Sequence, residues 1–128
     1  MRTPIKVISL GHRIPQAVKN EIEISHPGVL FFEYPMHLNW NSSTVVQVRR
    51  MAERSLSEAE CRDQIPFLIL PGVTVAAALV IAVVSGIVGC LPYVIEICKD
   101  PENRSAWKVK TIHNLEEVRG DARSRRFI

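Results

Sequence analysis

The sequence predicts an α/β fold: a three-layer open sheet, mostly parallel, with an antiparallel edge strand at the C-terminal end. Three observations predict it. Strand-length apolar runs alternate with helix-length segments in the order β-α-β-α-β-α-β-β. The long apolar stretch PFLILPGVTVAAALVIAVVSGIVGCLPYVIEI, Pro66 to Ile97, is broken by Pro71-Gly72 and again by Gly89-Cys90-Leu91-Pro92. Those breaks leave strand, helix and strand, the pattern of a parallel β-α-β unit whose strands are covered on both faces. Finally, 128 residues at 47% hydrophobic and 23% charged suit one domain, 1–128, with a single core.

The elements follow in order. Ile5 to Leu10 is a β-branched run and reads as the first strand, ending in the polar loop Gly11-His12-Arg13. Pro15 suits the first turn of a helix, and Ile14, Val18 and Ile22 recur at a spacing that puts them on one face. Pro27-Gly28 stops that helix, and Val29 to Tyr34 reads as the second strand. Ser42-Ser43-Thr44 supplies capping chemistry for a second helix, with Val45, Val48 and Ala52 expected inside and Gln47, Arg49, Arg50 and Glu53 outside. Ser57 to Gln64 either extends this helix or forms a short one of its own. Phe67 to Leu70, Thr74 to Val88 and Tyr93 to Cys98 are the strand, helix and strand of the apolar unit. Trp107 to Ile112 alternates apolar and charged residues, which suits a half-exposed edge strand paired antiparallel to its predecessor. From Leu115 onward the chain reads as a short helix or, over 118–128, as a flexible basic tail carrying Arg119, Arg123, Arg125 and Arg126.

Several classes of function are set aside at this point. The segment 73–91 approaches the length of a membrane span, but its Pro-Gly and Gly-Pro turns and the lack of flanking lysines argue for a fold centre. A small membrane-associated or scaffold protein using this helix stays as an alternative. The helix Thr74 to Val88 has no polar face beyond Thr74 and Ser85, so its outer side needs a cover, and a homodimer through 74–88 is the expected one. Cys61, Cys90 and Cys98 lack CxxC spacing and are odd in number, which reads as reduced thiols in a cytoplasmic protein. Met1 to Lys6 has no long apolar run of the secretory kind.

Open parallel sheets bind ligands beyond the carboxyl ends of their strands, where strand order reverses. Two loops are expected there: Ser9-Leu10-Gly11-His12-Arg13 after the first strand, and Pro71-Gly72-Val73-Thr74, with Ala76 beyond it, after the third. Each carries a glycine and leads into a helix N-terminus that can receive an anion. Neither matches GxGxxG or GxxxxGK[ST], and no Ser-His-Asp, paired-carboxylate or HExxH pattern is present. No residue is therefore assigned to catalysis, a metal or a cofactor. His12 and Arg13 are candidates for phosphate or base contact, against capping and plain exposure as the alternatives. His37 and Trp40, in the loop after the second strand, are candidates for stacking on a base, against a packing role for Trp40.

A first strand ending in Ser9 with Gly11-His12 after it, then Leu70-Pro71-Gly72, the alanines 76 to 78, Gly86, Gly89, Pro92 and an apolar strand, resembles a family of small stand-alone type III CRISPR-associated proteins, the x-fifteen family. The resemblance covers the first strand and about a quarter of the chain around the apolar unit. Where the family pattern has a histidine before the last of these strands, this chain has Cys90. The resemblance implies a cytoplasmic Rossmann-like homodimer in antiviral defence that binds cyclic oligoadenylate, above all cyclic tetra-adenylate, and sequesters that second messenger. It implies no DNA and no membrane as partners. The alternative within the family's chemistry is an enzyme, a metal-independent ring nuclease that opens the same ring.

Overall fold

A computed structural model of the chain describes residues 3–126. Its elements are β1 (Lys6–Leu10), α1 (Gln16–Ser25), β2 (Leu30–Tyr34), α2 (Thr44–Glu58), β3 (Phe67–Ile69), α3 (Thr74–Val88), β4 (Tyr93–Lys99), β5 (Trp107–Asn114) and α4 (Leu115–Ser124). The strands form one sheet in the order β2-β1-β3-β4-β5. β1 pairs parallel with β2 and β3, β3 pairs parallel with β4, and β4 pairs antiparallel with β5. The fold is thus the expected Rossmann-like open sheet with an antiparallel edge pair.

Two apolar clusters lie on opposite faces of the sheet, because successive side chains of a strand point to opposite sides. On one face Ile8, Leu10 and Leu68 meet Val48, Ala52 and Leu56 of α2 and Ala76, Val80 and Val84 of α3. On the other, Val7, Ile69 and Ile95 meet Val18 and Ile22 of α1. The apolar stretch from Pro66 to Ile97 is therefore the middle of the molecule, supplying β3, α3 and β4. No helix among the described residues is long and apolar enough to cross a membrane.

One local expectation shifts, and two open alternatives resolve. The inner face of α2 is Val48, Ala52, Ser55 and Leu56, while Val45, in the first turn of the helix, is 45% exposed. The helix runs to Glu58, and Ala59 and Cys61 continue its buried side, so the polar segment after Ser57 contains no second helix. Of the two options for the C-terminus, the structure has the helix: Asn114 caps α4 by accepting from the amides of Glu116 and Glu117. The Glu116 carboxylate in turn accepts from the Leu91 amide at 2.9 Å, fastening α4 to the turn before β4. Residues 127 and 128 of the proposed tail lie outside the described residues.

Candidate functional site

Strand order reverses at β1. Chain progress from β1 to β2 goes one way through α1, and from β3 onward the other way, so the gap between the ends of β1 and β3 is the switch point. The loops after these strands meet there. Gly11 adopts φ +106°, a left-handed conformation, and a side chain on it would stand 3.1 Å from Cβ of Pro71. Backbone contact between the loops at this point requires glycine on both counts. The Gly11 amide donates to the Tyr34 carbonyl at 2.7 Å, tying the loop to the end of β2. Ser9 is fully buried, and its hydroxyl donates to the His12 carbonyl at 2.8 Å, which fixes the turn that presents His12.

Between the two loops lies a cavity of about 350 Å³. Gly11, His12, Pro71, Gly72, Val73 and Ala76 form one side, and Met36, His37, Leu38 and Trp40 the other. Gly72 lines it without filling it: a methyl there would sit 3.7 Å from Nε2 of His12, an ordinary contact. Trp40 stands at the rim, 74% exposed. Its loop is held from α2, since the Gln47 side chain accepts from the Asn39 amide at 2.7 Å and donates to the Asn39 carbonyl at 2.8 Å. Met36, His37 and Leu38 also line a neighbouring hollow of about 290 Å³ bordered by Gln47, Arg50, Met51 and Arg54 of α2. Arg54 is engaged with Glu58 at 2.8 Å, and Glu58 also accepts from the Tyr34 hydroxyl at 2.6 Å. Burial, followed by the hydrogen bond to Glu58, pushes the Tyr34 phenol up to about 12. Arg50 forms no ion pair among the described residues.

Beside the cavity, where Val73 and Ala76 line it, α3 begins at Thr74 with Val73 as its cap and no side chain of the described residues bonded to the first-turn amides. Those donors and the positive end of the helix dipole are open to an anion. On the far side of β1, α1 also starts without a side-chain cap. There Glu33 accepts from the Ile14 amide at 2.7 Å and pairs with Lys19 at 3.2 Å. Burial pushes the Glu33 carboxyl up, but the Ile14 amide, Lys19 and, more weakly, the charge of Arg13 hold it below the usual carboxylate range.

Six of the ten expected site residues thus come together in one cavity: Gly11, His12, Pro71, Gly72, Val73 and Ala76. Ser9 and Leu10 are fully buried, Ser9 positioning the loop and Leu10 filling the core. Thr74 is exposed at the start of α3 and is not part of the lining. Arg13 points elsewhere and lines a second, larger cavity of about 850 Å³ beyond β3. Met36, Leu38, Gln47 and Arg50 were not legible as site residues, since nothing in a loop's composition shows which helix face it folds onto. Compared with known proteins, the chain matches no family model, no curated protein and no solved structure.

Proposed function

We propose that the cavity between the loops after β1 and β3 binds cyclic oligoadenylate, cyclic tetra-adenylate first among the ring sizes, and that the chain sequesters this messenger. The observation that carries the reading is the convergence of Gly11-His12 and Pro71-Gly72-Val73 on one hollow at the switch point. Its parts match the parts of a nucleotide. Trp40 and His37 offer ring faces for an adenine. The open amides at the start of α3, His12 and the Arg50 guanidinium in the adjoining hollow offer donors to phosphates. Gly72 lets the ligand reach the backbone.

A cavity of about 350 Å³ takes one nucleotide unit, not a ring of four. The ring reading therefore goes with a two-fold dimer, in which one patch serves twice. Support for the dimer lies in α3, where Val75 is 60% and Ile87 40% exposed on a helix with no charged residue. Val73, 41% exposed, is both the cap of that helix and part of the cavity, so pairing along α3 brings two cavities near one another.

Incubation with labelled cyclic oligoadenylates of several ring sizes tests this. A gel shift with the tetra-adenylate, and chromatography returning the ring intact, is the expected result. An opened ring whose formation stops in His12→Ala replaces sequestration by a nuclease. No shift with any ring overturns the proposal.

A further inference from the structure

The larger cavity was not foreseen from the sequence, and it arises from a mismatch in strand length. β3 ends at Ile69, where Pro71-Gly72 follows, and pairs with β4 only at Phe67↔Tyr93 and Leu68↔Val94. β4 runs on to Lys99 with β5 alone as partner. Beyond Val94, the edge of β4 that faces β3 therefore has no strand against it among the described residues. The result is a notch in the carboxyl edge of the sheet. Ile69 and Leu70 form its floor, Gly11 to Arg13 with Pro15 one wall, and Val94 to Ile97 the other. Trp107 and His113 of β5 complete it, around about 850 Å³.

We propose that this notch is a second binding site, one that takes an adenine mononucleotide unit with its base in the slot and its phosphate at the mouth. The volume lies within the range of small-molecule sites. The lining of the notch is mostly apolar, with Ile69, Leu70, Val94, Ile95, Ile97 and Trp107, which suits an aromatic ring. The free strand edge of β4 offers main-chain donors and acceptors in one plane, the chemistry that reads the edge of a purine. Trp107 supplies an aromatic surface, and Nζ of Lys99 lies 4.2 Å from its ring centre. At the mouth Arg13 is exposed and forms no ion pair among the described residues. The one carboxylate in the lining, Glu96, is already answered by His113 at 2.8 Å and Lys110 at 3.5 Å. Gly11 and His12 line both the notch and the switch-point cavity. Neighbouring units of one oligonucleotide can thus occupy the two sites on either side of that loop. The inference deepens the nucleotide reading of the first cavity and rests on it for the identity of the base.

The chain has two tryptophans, Trp40 at the first cavity and Trp107 at the notch, so each site has its own reporter. In Trp40→Phe, titration with adenosine 5′-monophosphate should quench Trp107 emission saturably. Adding Arg13→Ala, a change on the surface, should weaken that response about tenfold to a hundredfold through the lost charge-assisted contact. In Trp107→Phe, cyclic tetra-adenylate reads the first cavity through Trp40. Trp107 emission that is unmoved by millimolar adenosine 5′-monophosphate overturns the notch site, as does an Arg13→Ala response equal to its parent. A silent Trp40 beside a responding Trp107 leaves the notch standing and overturns the reading of the first cavity.

Discussion

Gly11 and Gly72 share a cavity wall under opposite constraints. Gly11 is bound by its backbone: φ is +106° and the Pro71 side chain is 3.1 Å from where a methyl would go. Gly11→Ala should therefore cost about 1–3 kcal/mol of stability, read as a lower urea midpoint with an unchanged slope. Gly72 has no such φ, and its nearest neighbour would be the His12 ring at 3.7 Å. Gly72→Val should keep the unfolding midpoint near wild type while its methyl groups occupy ligand space. Overpacking of this kind costs roughly 1–3 kcal/mol, or about five- to 150-fold in affinity for cyclic tetra-adenylate. A Gly72→Val protein that binds the ring as wild type does would show that the ligand does not enter here.

α3 has two apolar faces and only one of them is used inside the chain. Ala76, Val80 and Val84 are buried against the sheet and α2, so Ala76→Asp should abolish folding by burying an unpaired charge, at a cost of about several kcal/mol. Val75 on the outer face should behave differently. Val75→Glu should change stability by no more than about 0.5 kcal/mol and convert a dimer into a monomer in light scattering; a wild-type monomer at micromolar concentration contradicts the pairing. At the start of α1, the depressed Glu33 carboxyl stabilises the fold above the ordinary carboxylate pKa, and that share is lost as pH falls through its folded value. Glu33→Gln should flatten the drop in melting temperature between about pH 5 and 3. The elements themselves were legible where punctuation and periodicity agree. Pro71-Gly72 and Gly89 bound α3 at Thr74 and Val88 as the sequence predicts. The placement of Val45 was not, because its spacing from Val48 suits the inner face and only the packing of the first turn shows it outside.

At the scale of the whole molecule, strand order decides what the loops can do. The order 2-1-3-4-5 sets the ends of β1 and β3 side by side and makes a cavity from residues about sixty apart in sequence, such as Gly11 and Pro71. That convergence was legible, since a β-α-β pattern with a central first strand dictates it. The direction of Arg13 and the notch beside it were not. They follow from β3 being shorter than β4, and an apolar run does not show where its pairing stops. Under the proposed reading the same architecture would set the stoichiometry of binding, because a cavity sized for one nucleotide and a helix with an exposed apolar face would fit a ring shared by two chains. Isothermal titration of the protein with cyclic tetra-adenylate tests this most directly. A saturable isotherm at one ring per two chains, weakened in Gly72→Val, is the predicted result; no heat of binding, or an isotherm that Gly72→Val leaves unchanged, would contradict it.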